Sequence, residues 1–149
     1  MNASITFESP RAEELAALLD AAGWGTHDAK TLSRSIAAYT ATACARDANG
    51  TLVGYASVFS DGVLTTMLGE LIVHPRSQRQ GIGRALMLAV ESKFPGAPIY
   101  VKALGSSRDF YASLGFRVAS VVVTSMFKRP PFEPGPQTAA MQVKGCSDA

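Results

Sequence analysis

Charge is scarce in this sequence: 12 acidic and 14 basic residues among 149 leave a formal net charge of +2. That balance is too small to hold a nucleic acid by bulk electrostatics, so any anion must be bound by a local cluster. Cysteine is scarcer still. The two present, Cys44 and Cys146, fall in an expected strand and in a polar C-terminal tail, which excludes a disulfide framework and suits a reducing cytoplasm. No run reaches the ~20 apolar residues that a bilayer crossing needs, and residues 1–10 lack the charged start and apolar middle of a signal peptide. The expectation is a cytoplasmic protein with neither a membrane nor a nucleic acid as partner.

What is present suffices for one core. With 47% hydrophobic residues, the chain reads as a single domain over 1–149, with residues 128–137 as a proline-rich loop and 145–149 as a frayed tail. Residues 4–8 alternate as a strand does, and Ser9 with Pro10 reads as the start of a helix whose apolar stripe is Leu15, Leu18, Leu19 and Ala22. Thr26 or Asp28 caps a second helix through Leu32 and Ile36. Residues 41–46, 52–59 and 64–73 read as three strands, separated by Asp-Ala-Asn-Gly and Ser-Asp-Gly turns that suit a meander. Ile82, Leu86, Val90 and Phe94 then recur at helical spacing. A strand over 99–104, a short helix over 107–114 and a β-branched strand over 116–124 complete the order, with a last strand expected at 139–143. The pattern is an α+β or mixed α/β layer.

The stretch from Val73 to Leu86, VHPRSQRQGIGRAL, runs a strand end through a basic, amide-rich turn and two glycines into a helix. The first N–H groups of a helix have no internal partner and share the positive end of its dipole, so a phosphate is favoured there. Gly81 and Gly83 clear the approach, and Gln78, Arg79 and Arg84 can add donors. Two look-alikes are disfavoured. A dinucleotide fingerprint needs glycine where Leu86 stands, and a Walker loop needs Gly-Lys-Ser/Thr where Gly83-Arg84-Ala85 stands.

The run Gln78-Arg79-Gln80-Gly81-Ile82-Gly83 resembles the acyl-coenzyme A signature of the GNAT superfamily of N-acetyltransferases. A second element in register, FYASLGF at residues 110–116, resembles that family's Tyr-x-x-x-Gly-Phe helix end. The resemblance implies a GNAT-like fold: a mixed, largely antiparallel sheet splayed in its middle, with flanking helices. It implies acetyl-CoA as acyl donor, its pantetheine arm pairing with Leu71, Ile72 and Val73, its diphosphate lying on the amides of residues 79–84, and Gln78, Arg79, Gln80, Gly81, Ile82, Gly83, Arg84 and Ala85 as cofactor-binding residues. No metal is implied. Leu104 stands about seven residues before the signature tyrosine, where many members carry asparagine, which leaves a cofactor contact to Ser106 or Ser107 or removes it.

Acetyl transfer to an amine needs the neutral amine, and an alkylamine of pKa about 10.4 is mostly protonated at neutral pH. Glu70, one residue before the pantetheine strand, is the candidate base, acting directly or through water; a solvated glutamate on a strand face is the competing reading. Tyr111 matches the position at which many GNAT enzymes place a tyrosine beside the cofactor sulfur, so it is the candidate acid for the leaving thiolate. The competing reading is a tyrosine packed beside Phe110 and Leu114. The N–H of Ile72 or Val73 is a candidate oxyanion donor. Trp24 and His27 lie where the family shapes its acceptor pocket, although Trp24 also reads as a core plug. The resulting expectation is an N-acetyltransferase acting by direct attack in a ternary complex on a small-molecule primary amine, as a homodimer through its last strands. A protein lysine or N-terminus is the alternative acceptor, and a non-catalytic acyl-CoA sensor is the alternative of another class.

Overall fold

The computed structural model describes residues 3–126 and 128. These fall into two compact units that divide after Val101. The first unit holds a five-stranded sheet in the order β1 (Ser4–Phe7), β2 (Ala41–Arg46), β3 (Leu52–Ser60), β4 (Thr66–Val73) and β5 (Ile99–Tyr100). The first four strands are antiparallel neighbours, and β5 joins β4 in parallel. Three helices pack in the same unit, α1 (Ala12–Ala21), α2 (Ala29–Ala38) and α3 (Ile82–Lys93). The second unit contains α4 (Ser107–Ser113). None of the helices among the described residues is long and apolar enough to cross a membrane.

Turn chemistry explains the meander. Asp47 Oδ1 accepts from the N–H groups of Asn49 and Thr51, and Asp61 Oδ1 accepts from those of Val63, Leu64 and Thr65. Gly50 and Gly62 follow at positive φ, where an L side chain would be strained. Asp28 caps α2 by accepting from Thr31 N–H at 2.9 Å, which selects it over Thr26.

The core lies on both faces of the sheet. On one face Leu15, Leu18 and Leu19 of α1 and Leu32 and Ile36 of α2 pack with Cys44, Leu52, Tyr55 and Ile72. On the other, Leu86, Met87 and Val90 of α3 are wholly buried. Helix α3 comes close because β3 has no side chain at Gly54: a Cβ there would stand 3.0 Å from Ile82 Cγ2 and 3.1 Å from Leu86 Cδ1.

Four expectations need correction or placement. Helix α1 starts at Ala12, with Arg11 rather than Ser9 at the N-cap, because the Glu14 carboxylate accepts the Arg11 N–H at 3.1 Å. The strand expected over 99–104 is only Ile99–Tyr100, since its partner β4 is diverted just past Met67. Residues 116–124 form no strand: Val121, Val122 and Val123 are 70%, 96% and 73% exposed, and β-branched residues make a strand only where a partner edge exists. The strand expected at 139–143 lies outside the described residues.

Candidate active site

The diversion of β4 is a bulge. Ala56 pairs with Leu71 and Val58 with Leu68, so two steps along β3 answer three along β4 and Ser57 faces both Gly69 and Glu70. The Ser57 hydroxyl, wholly buried, accepts the Glu70 N–H at 2.8 Å and donates to Glu70 Oε2. Tyr39, the residue after α2, donates its hydroxyl to the other carboxylate oxygen, Oε1, at 2.7 Å. Burial, together with the Glu70 hydrogen bond, pushes the Tyr39 phenol up to about 12, so it keeps its proton. Beside them Tyr55 is 1% exposed, and its hydroxyl lacks a hydrogen-bond partner among the described residues. Burial and then the charge of Glu70 raise that phenol further. Glu70 is therefore a held carboxylate within a polar cluster, not a freely solvated one.

Past the bulge the outer edge of β4 is free. Its parallel pairing with β5 covers only Thr66 and Met67, so the backbone of Leu71, Ile72 and Val73 has β3 on one side and no strand on the other among the described residues. From this edge the chain leads directly into the glycine turn.

The turn has an unusual backbone. Pro75–Ser77 is a 3₁₀ turn capped by His74, whose Nδ1 accepts from Arg76 N–H at 3.2 Å. Arg79 and Gly81 then both take positive φ, 61° and 82°, the first of them unusual for a residue with a side chain. Ala85 N–H is the donor that first closes onto the helix, to Gly81 O at 2.9 Å, which leaves the N–H groups of Gly81, Ile82, Gly83 and Arg84 without internal acceptors. No carboxylate pairs with Arg79 or Arg84 among the described residues. The Gln78 side chain donates to Val73 O and that of Gln80 to Arg76 O, both at 3.2 Å, so these amides brace the loop.

The remaining candidates have their own local surroundings. Trp24 packs part-buried against the α1 and α2 cluster, and His27 Nε2 lies 3.3 Å from its carbonyl oxygen. His74 lines a cleft of about 460 Å³ with Arg11, Glu14, Asn49 and Thr51, and Glu70 takes no part in it. In the second unit Tyr111 is buried on α4, edge-on to Phe110 and Phe116 at 5.1 and 5.6 Å, and burial raises its phenol above the ordinary value. Ser107 opens the same helix, its N–H bonded to Leu104 O.

Residues 11–125 match the sequence profile of the Acetyltransferase (GNAT) domain. The chain belongs to the GNAT acetyltransferase family. This GNAT chain is 40% identical over 95 residues to the mycothiol acetyltransferase of Salinispora arenicola; the alignment covers 62% of this chain and 30% of that one. A GNAT family acetyltransferase of Streptococcus pneumoniae superposes with a TM-score of 0.73 at 24% identity, covering 87% of this chain and 100% of its own. The GNAT family N-acetyltransferase YhbS of Escherichia coli, solved in complex with CoA, superposes at 0.60 with 21% identity, over 78% and 69% of the two chains. The mixed sheet with its flanking helices is thus the GNAT fold.

Proposed function

We propose that this chain is an acetyl-CoA-dependent N-acetyltransferase that passes acetyl to a small-molecule primary amine by direct attack in a ternary complex. The observation that carries the proposal is the continuity of β4. One strand presents the held carboxylate of Glu70, then a backbone edge at Leu71, Ile72 and Val73 with no strand beside it among the described residues, and leads into a turn where the N–H groups of Gly81 to Arg84 have no backbone acceptor among the described residues.

Acetyl-CoA, when bound, supplies an activated thioester carbonyl and a thiolate leaving group. The chain's own residues do the rest. The β4 edge fits an extended amide-bearing arm, and the turn from Gln78 to Ala85 fits the diphosphate end; Ser107 is a further candidate cofactor contact. Glu70 takes the proton of the ammonium group directly or through one water. Of the two candidate oxyanion donors, the N–H of Val73 polarises the acyl oxygen, because the register turns that of Ile72 toward β3. Tyr111 returns a proton to the departing sulfur; its raised phenol is protonated throughout the neutral range. Trp24 and His27 shape the acceptor side.

A small acceptor is supported by the likeness to mycothiol acetyltransferase, whose name states a small molecule. That the family match spans residues 11–125 supports one functional domain built from both units. Exposed Val121, Val122, Val123 and Met126 support a homodimer, and the buried free thiol of Cys44 suits the cytoplasm.

Thiol release from acetyl-CoA, measured over n-butylamine, spermidine, glucosamine and tyramine and over lysine-bearing and free N-terminal peptides, tests the proposal. The expected result is release with a small amine that Glu70→Gln reduces about a hundredfold or more. Release with peptides alone overturns the small acceptor. A folded protein that binds acetyl-CoA yet turns over none of them is a sensor.

A further inference from the structure

We infer that Tyr39 and Ser57 are positioning residues for the reaction, gripping one oxygen each of the Glu70 carboxylate, and that Gly69 is the residue that lets them do so. The inference rests on the reading of Glu70 as the base.

Three observations converge on it. Ser57 bonds to residue 70 twice, accepting from its N–H at 2.8 Å and donating to Oε2. A single buried hydroxyl therefore fixes both the bulged backbone and the orientation of the side chain it carries. Tyr39 takes the second oxygen at 2.7 Å, and its ring is steadied by Phe59, with centroids 4.5 Å apart at 42°. Partners on both oxygens stop the terminal carboxylate torsion, which is otherwise broad, from turning. Each oxygen has two lone pairs, so each keeps one for an incoming proton after accepting one hydrogen bond. The carboxylate is aimed without being used up.

Gly69 makes the closeness possible. A Cβ built on it would stand 2.6 Å from Ser57 Oγ and 2.8 Å from Tyr39 Cε1. Any side chain there would displace the two hydroxyls that hold Glu70. The glycine is needed here for space; its φ is not in the left-handed region. Misplacing a base by a fraction of an ångström slows proton transfer while leaving cofactor contacts elsewhere intact.

A purely structural tie between α2 and β4 would account for the same contacts, so the experiment must separate the two. The probes are acetyl-CoA and the fastest acceptor among n-butylamine, spermidine, glucosamine and tyramine, with kcat and KM measured for wild type, Tyr39→Phe, Ser57→Ala, Gly69→Ala, Glu70→Gln and the Tyr39→Phe/Glu70→Gln pair. Tyr39→Phe keeps the ring and its stacking. The expected result is a fall in kcat of about tenfold, KM for acetyl-CoA within about twofold of wild type and an unchanged melting temperature. In the Glu70→Gln background the same change is expected to cost less than about twofold, because the carboxylate it orients is gone. An unchanged kcat in Tyr39→Phe and Ser57→Ala, or a full tenfold loss persisting without Glu70, overturns the inference while leaving Glu70 as base. Wild-type activity in Glu70→Gln, or no turnover of any amine by the wild type, overturns both. If Tyr39→Phe melts early, Ser57→Ala and Gly69→Ala decide by the same split of kcat from KM.

Discussion

The Arg46 guanidinium holds the Glu14 carboxylate by two hydrogen bonds, Nη1 to Oε1 at 3.0 Å and Nη2 to Oε2 at 3.2 Å. Its Nε reaches Glu8 at 2.6 Å, so one side chain joins α1, β2 and the end of β1. Arg46, aided by Arg11, lowers the Glu14 carboxyl from 4.5 to about 2. A carboxylate whose folded value is depressed adds stability above its unfolded value, and that stability is lost as pH falls through the folded one. Glu14→Gln is therefore expected to destabilise the protein by about 1–2 kcal/mol at neutral pH, a figure reduced for solvent screening. The difference from wild type should close between pH 4.5 and about 2, as followed by urea unfolding across that range. A difference independent of pH would remove the ion pair from the account.

Gly54 is where α3 meets the sheet. Its absent Cβ would stand 3.0 to 3.1 Å from Ile82, Ala45 and Leu86, and Gly54→Val adds two methyl groups beyond that. The variant is expected to lose about 1–3 kcal/mol, seen as a lower denaturation midpoint with an unchanged slope. Because α3 carries the glycine turn, acetyl-CoA affinity should fall with it. A Gly54→Val protein as stable as wild type would mean that α3 shifts freely over the sheet.

Cys44 is wholly buried, and burial pushes its thiol up to about 12. It is expected to resist iodoacetamide in the folded protein at pH 8 and to react fully in urea, as peptide mass mapping would read. Labelling of the Cys44 peptide at the rate of an unfolded thiol would contradict the packing of β2.

Tyr111 is buried among aromatic rings on α4, and its raised phenol remains a donor at neutral pH. Tyr111→Phe keeps those edge contacts and removes the hydroxyl alone. Under the proposed chemistry kcat falls about a hundredfold with little change in KM for acetyl-CoA, as initial-rate kinetics would show. Equal changes in both constants would assign Tyr111 to packing.

Much of this was legible before any fold was known. The Asp and Gly turns, a cap at Thr26 or Asp28 and the Val73–Leu86 run are local, so neighbouring residues suffice to read them, and the Thr31 hydrogen bond then selects Asp28. Glu70 was legible as a strand residue. Its partners were not: Tyr39 lies 31 positions away and Ser57 lies 13, and only the register of β3 on β4 with its bulge brings them together. The one available signal was Gly69, a glycine inside a strand, which marks a bulge or a close approach. The valine run at 121–123 misled in the opposite sense, because β propensity says nothing of whether an edge is there to receive it. Pro10 likewise read as the first residue of α1, whereas the start is set by which N–H meets Glu14.

The most direct test of the account is a calorimetric titration of acetyl-CoA into wild type and Gly83→Asp, with melting temperatures measured beside it. An aspartate in the first turn of α3 is favourable for the helix dipole but places a negative charge where the diphosphate should rest. The account predicts binding by wild type and loss of that affinity in Gly83→Asp without loss of melting temperature; equal affinity in both proteins would contradict it.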